Sequence, residues 1–209
     1  MKVLTVNITS IVHEGEWTGS EGKTGIDKRA TLGPAHFAND EVSGDVVVVD
    51  RNHHGGYDQA VYVYAREDAD WWEKELGQSI ANGRFGENLT TSGIDVNGAL
   101  VGERWKIGTT ILEVSQPRIP CRVFAGFWQR PTLIKEFMAA GKPGTYLRII
   151  QEGHISAGDE IEVISKPNHQ ISIADLYAAK NGERSKVEEI AAVKELSAKY
   201  QEWAQSLRS

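Results

Sequence analysis

Up to Pro167 the apolar positions fall into short runs, many of them β-branched, with glycines between them. The runs are Val3 to Val12, Val46 to Val49, Ala60 to Tyr64, Thr110 to Val114, Thr145 to Ile150 and Glu160 to Ile164. Short runs bounded by turn residues predict the strands of a barrel or sandwich. Gly108-Thr109 and Gly158-Asp159 predict hairpin turns feeding the strands after them. Two stretches switch to helical spacing. Residues 66–76 place Ala69, Trp72 and Leu76 on one face, with Gly77 where a C-terminal cap belongs. Residues 131–140 open with Pro131, suited to a first helical turn, and carry Leu133, Ile134, Phe137 and Met138 ahead of Gly141.

Beyond Pro167 the pattern is helical. Ser172 with Asp175, and Ser185 with Glu188, have capping-box spacing; Ser197 precedes Tyr200, Trp203, Ala204 and Leu207 at helical intervals. Three helices this short hold only by packing on one another or on the strands. The expectation is a mainly β fold: a β-barrel over residues 1–166 with short interspersed helices, then a small three-helix domain over 167–209.

Composition narrows the classes. With 209 residues, 40% hydrophobic and 25% charged, the chain suits one large domain or one domain with an appendage, and disordered or low-complexity classes drop out. No apolar run approaches the roughly 20 residues of a membrane helix. The N-terminus alternates polar and apolar residues instead of building a signal-peptide core, so a cytoplasmic protein with no membrane partner is expected. The single cysteine, Cys121, forms no internal disulfide and excludes a four-cysteine cluster or zinc site within the chain. Redox chemistry here would borrow its electrons. A net charge of −6 disfavours nucleic-acid binding through a generic basic surface. On the C-terminal helices Lys180, Lys186, Lys194 and Lys199 interleave with Glu183, Glu188 and Glu195, which makes a mixed surface and not a phosphate-tracking stripe.

Five segments carry more polar and glycine residues than a plain barrel requires. Lys23 to Arg29 is a basic cluster in an acidic chain, either an anion holder or a solvated loop. Gly44-Asp45 precedes His53-His54-Gly55-Gly56-Tyr57-Asp58, where two glycines let backbone amides approach an anion and His54 is of a residue type that can donate a hydrogen bond or exchange a proton. The plain alternative is a tight turn. Phe85-Gly86-Glu87-Asn88 reads as side chains aimed into a barrel mouth, or as a bulge. In Gln116-Pro117-Arg118-Ile119-Pro120-Cys121-Arg122, prolines stiffen the approach to the cysteine and arginines flank it. That setting suits a nucleophile or a soft metal ligand, against the alternative of a small buried residue. Gly141 to Arg148 reads as a turn launching a strand, or as the closing edge of a pocket.

In register along the chain, Lys23-Thr24-Gly25-Ile26-Asp27-Lys28, Gly44-Asp45, His54-Gly55-Gly56 through Tyr62, Phe85 to Leu89, Ser115 to Cys121 and Gly144 to Arg148 resemble the MOSC domain, named for the C-terminal domain of molybdenum-cofactor sulfurases. Within it the likeness is to the stand-alone bacterial, YiiM-like branch, whose barrel is followed by a small helical domain. The chain departs from the family's Gly-Leu-x-Gly-Asp, keeping only Gly44-Asp45, and from its Gly-Gly-Pro-Asp-Lys, reading Gly56-Tyr57-Asp58-Gln59. The resemblance implies a barrel that binds the pterin-based molybdenum cofactor. Cys121 matches the metal ligand, with Lys23, His54, Gly55, Gly56, Asn88 and Arg118 around the cofactor. Pyridoxal phosphate binding is a further association of the family. The resemblance also implies reduction of small N-hydroxylated compounds, such as base analogues, to amines, with electrons from a separate flavin-containing reductase. His54 and Asp58 are proton-donor candidates by residue type. The alternative is a non-catalytic carrier of the cofactor, or of a persulfide on Cys121.

Overall fold

A computed structural model describes residues 1–46 and 55–208. Most of the strand expected at Val46 to Val49 lies outside the described residues, as do His53 and His54. Among the described residues the strands are β1 (Lys2–Glu14), β2 (Lys23–Ala30), β3 (Ala35–Ala38), β4 (Glu41–Val42), β5 (Val61–Ala65), β6 (Leu89–Ser92), β7 (Arg104–Ile107), β8 (Thr110–Pro117), β9 (Thr145–Gln151), β10 (Gly153–Ile155) and β11 (Ile161–Ser165). The helices are α1 (Arg66–Leu76), α2 (Arg122–Phe127), α3 (Leu133–Ala140), α4 (Ile173–Lys180), α5 (Val187–Ala191) and α6 (Ala198–Ser206).

The main sheet runs in the order β11, β7, β8, β9, β5, β6, β1, β2, and β10, β3 and β4 form a small second sheet. The long strand β1 serves two neighbours, pairing with β6 through its first half and with β2 through its second. Its first residues also reach the segment entering β11. Val3 N donates to Asp159 O (2.9 Å), Gly158 N to Val3 O (2.9 Å) and Ile161 N to Met1 O (3.0 Å). These bonds bring the segment entering β11 against the first residues of β1 and close the barrel there.

The alternation in β5 separates two cores. Val61, Val63 and Ala65 face the aliphatic barrel interior with Leu89, Leu112, Val114 and Leu147. Tyr62 and Tyr64 point the other way, into an aromatic cluster with Trp72, Phe85, Phe124 and Phe137. There Tyr64 and Phe85 stack at 4.3 Å and Trp72 lies parallel to Phe137 at 5.8 Å. The tyrosine hydroxyls reach buried carbonyls, Tyr62 Oη donating to Pro143 O (2.8 Å) and Tyr64 Oη to Lys142 O (3.0 Å). Gly144 follows at a left-handed φ of 66°, where a Cβ would meet Val63 O at 2.6 Å. Only glycine fits that approach.

Helix α1 matches its expected span and ends on Gly77 in the left-handed region. Helix α3 begins at Leu133, two residues later than expected, after a turn through Pro131 and Thr132. The Ser172–Asp175 capping box starts α4, and Ser197 caps α6 through Tyr200 N. Ser185 does not cap α5; Lys186 stands at that position, and Ser185 N is held by Glu183 Oε1 (2.9 Å). Gly108-Thr109 joins β7 to β8 as expected. Gly158-Asp159 does not join paired strands: β10 pairs with β3 and β11 with β7, so the turn passes between sheets.

The C-terminal helices sit against the barrel. Ile173 N donates to Ala99 O (3.0 Å), Ala174 N to Asn97 O (2.8 Å), and Arg148 Nη2 to Glu195 O (2.9 Å). Ile173, Leu176, Ile190, Val193, Leu196 and Ala204 belong to the same apolar cluster as Trp105 and Leu112 of the barrel.

Candidate functional site

A cavity of about 620 Å³ opens between β2, the Phe85–Asn88 turn, the segment leaving β8, and the ends of α4 and α6. That is within the range of roughly 300–1,000 Å³ for small-molecule sites. Its barrel wall begins with β2. Residues 23–29, read from sequence as an anion holder or a solvated loop, are this strand, paired with β1. Lys23 lies exposed at the rim, and Gly25 packs so tightly under Val46 O and Thr9 that a Cβ would collide with both.

Lys28 faces the cavity ion-paired to Asp45, whose side chain is only 4% exposed. Asp45 Oδ1 also accepts from Thr9 N (2.9 Å) and Thr9 Oγ1 (2.7 Å), and Asn88 Nδ2 donates to Oδ2 (2.8 Å). Burial pushes the Asp45 carboxyl up, but Lys28, Thr9 and Asn88 outweigh it and hold the group below the ordinary value. Gly44-Asp45 is thereby a clamp joining β1, β2 and the 85–88 turn. Asn88 is fully engaged in it, because its Oδ1 accepts from Tyr62 N (3.1 Å). A hydrogen bond from Asn88 to a ligand has to displace one of these partners. The adjacent Glu87 turns inward, away from the expected mouth, and accepts from Gly83 N (2.6 Å), Phe85 N (3.0 Å) and Thr90 Oγ1 (2.7 Å). Burial raises its carboxyl above the ordinary value despite those donors.

The Gln116–Cys121 segment forms the floor. Arg118 is 6% exposed, with its guanidinium 4.0 Å from the Phe124 ring and 5.5 Å from that of Tyr62. Its Nη1 is buried without a hydrogen-bond partner, and among the described residues Arg118 has no carboxylate. A permanently charged guanidinium in such a place is costly unless an anion joins it. Cys121 lines the same cavity, half-buried, as a free thiol. It occupies the residue before α2 without using its side chain as a cap, so the sulfur is free of that bond.

The structure thus gathers Lys23, Gly55, Asn88, Arg118 and Cys121 around one cavity. Gly56 stands beside it in the chain but not on its wall. Asp58 is elsewhere: its Oδ1 accepts from Arg148 Nε (2.7 Å), and Arg148 also binds Glu113 Oε1 (2.8 Å). His54 lies outside the described residues. Sequence reading missed Lys180 and Lys199, which enter the cavity wall from α4 and α6. Their spacing carries no signal, since only the tertiary packing of two separate helices brings them together. It also missed α2, a six-residue helix with no side-chain cap to announce it.

No helix among the described residues is long and apolar enough to cross a membrane. The MOSC domain model matches residues 50–162. Protein YflK of Bacillus subtilis is 32% identical over 158 residues, 76% of this chain and 71% of its own. Protein YiiM of Escherichia coli is 27% identical over 146 residues, 64% of this chain and 65% of its own. A protein named "Reductase" from Gibberella moniliformis is 28% identical over 162 residues, which are 76% of this chain but only 28% of that protein's own length. The crystal structure of YiiM from Geobacillus stearothermophilus superposes with a TM-score of 0.82 at 28% identity, covering 100% of this chain and 99% of that one. With the family model matching more than half of its residues and a YiiM fold along its whole length, this chain belongs to the MOSC domain family.

Proposed function

We propose that the protein is a molybdenum-cofactor-dependent oxidoreductase that reduces small N-hydroxylated compounds to amines, with electrons from a separate flavin-containing reductase. The net change is RNHOH + 2e⁻ + 2H⁺ → RNH₂ + H₂O, in which the N–O bond breaks and its oxygen leaves as water. The observation that carries this reading is the buried Arg118 guanidinium, with its Nη1 left without a hydrogen-bond partner and no carboxylate among the described residues, sharing a cavity with the free thiol of Cys121. A ligand that joins a soft metal to an anionic, ring-bearing framework fits both groups at once.

The residues divide by what they supply. Cys121 would hold the metal through sulfur. Arg118 would pair with the cofactor's oxygens, and Lys23 would meet charge at the rim. The Lys28–Asp45–Asn88 clamp keeps the wall in place without drawing on either of those groups. When bound, the cofactor supplies two-electron chemistry that side chains lack. The family's name, the fold shared with YiiM and the reductase among its relatives support the reading.

The test is turnover. Protein from a cofactor-competent host, given a chemical electron donor, is expected to convert an N-hydroxylated base analogue to its amine. Cys121→Ser is expected to lose at least about a hundredfold, the scale for removing a metal ligand or its support, while keeping the circular dichroism of the wild type. A fully active serine variant contradicts the assignment.

A further inference from the structure

The helical wall of the cavity carries two amines for which the proposed chemistry has no use. Lys180 closes α4 and Lys199 lies in the first turn of α6, and both line the cavity. Among the described residues neither has a carboxylate partner. Lys180 is half-buried and packs its ammonium on α6. Its ammonium lies 3.5 Å from the Trp203 ring centroid and 4.6 Å from that of Tyr200, both on α6. Burial, and then the charge of Lys199, pull the Lys180 ammonium down to about 8. Of the cavity's carboxylates, Asp45 is already consumed by Lys28, and Glu21 lies exposed at the rim. The protein as a whole is acidic, at −6, yet this wall presents two cations that repel one another. A dianion bridging both relieves the repulsion and restores what burial removed, whereas a neutral ligand does neither.

We propose that Lys180 and Lys199 form an anion subsite for a phosphate monoester, and that the N-hydroxylated substrate carries that phosphate. This rests on the reductase reading and narrows it to phosphorylated substrates such as nucleoside monophosphates, in preference to free bases. The same chemistry could be met by the phosphate of the cofactor, so the test separates the two sources.

Full-length protein carrying its cofactor is titrated calorimetrically with a nucleoside and with its 5′-monophosphate, each bearing the product amine. KM is measured in parallel for an N-hydroxylated base analogue and its nucleoside monophosphate, with a reduced viologen as donor. The wild type is expected to prefer the monophosphate by about tenfold or more in both readouts. In K180M/K199M that preference falls to within about twofold, and K180R/K199R restores it. Equal affinity for nucleoside and monophosphate in the wild type overturns the inference, as does a preference that survives in the methionine variant. A methionine variant that loses molybdenum, alongside a wild type with no monophosphate preference, assigns the lysines to the cofactor and also overturns it. If no N-hydroxylated compound is turned over but the lysine-dependent preference is found by calorimetry, the reductase reading fails while the phosphate subsite stands.

Discussion

Arg118 illustrates how a residue can be poorly placed for stability and well placed for binding. Its guanidinium is buried with Nη1 unpartnered, and its compensation comes from the Phe124 and Tyr62 rings and from the side chain of Tyr146. Replacing a buried, incompletely paired ion by an apolar side chain of similar length is often neutral or stabilising. Arg118→Met is therefore expected to hold or raise stability, by up to about 2 kcal/mol in urea unfolding, while its molybdenum content drops. A variant that unfolds more easily and retains molybdenum would make Arg118 a packing residue. Asp45 is the opposite case. Asp45→Asn removes the partner of Lys28 and is expected to cost about 3 kcal/mol, the scale for breaking a buried pair. Cys121 and Arg118 were legible in sequence because the prolines and arginines around the only cysteine made that segment unlike core filler. Lys180 was not, because its environment is made by α6, which follows it only after another helix. Mass spectrometry of amine acylation against pH should show Lys180 half-reactive near pH 8, ahead of the surface lysines.

Among elements, those with both a periodic face and a cap were readable. Helix α1 has Ala69 and Trp72 on its buried face and Gly77 at its end, and α4 has its full capping box. Ser172→Ala should cost about 1 kcal/mol in chemical denaturation. Strand β5 was readable from its apolar run, but the division of its two faces between aliphatic and aromatic cores became visible only with its neighbours in place. Strand β2 was hidden by its charge: Lys23, Asp27, Lys28 and Arg29 look like a loop, yet Asp27 pairs with Arg29 (2.9 Å) and His13 (3.1 Å), and Lys28 with Asp45. The Gly83–Glu87 turn offers a pH test. Burial raises the Glu87 carboxyl in the folded state. Its contribution is therefore full below the unfolded carboxyl value and is lost as pH rises through the folded one. Glu87→Gln turns an amide toward the backbone N–H donors and should cost about 2 kcal/mol at low pH. The difference from wild type should shrink as pH rises, and one that grows would reverse the assigned shift.

For the whole molecule, closure at residues 158–161 and the shared apolar cluster make the barrel and the C-terminal helices mutual supports. Calorimetry is expected to show one unfolding transition; two separated transitions would mean that the helices fold on their own. Sequence reading captured the barrel and the three helices but not this interlock, because the capping signals of α4 and α6 do not say what their buried faces touch. The interlock also places Lys180 and Lys199 in the wall of the cavity that Arg118 and Cys121 line, so one cavity draws on the barrel and on the C-terminal helices. The central claim is that this cavity holds a molybdenum cofactor through Cys121. The most direct measurement is molybdenum per chain, by elemental analysis, in wild type and Cys121→Ser purified side by side from a cofactor-competent host. The account predicts close to one molybdenum per wild-type chain and almost none in a folded serine variant. Equal molybdenum in both, or none in either, would contradict it.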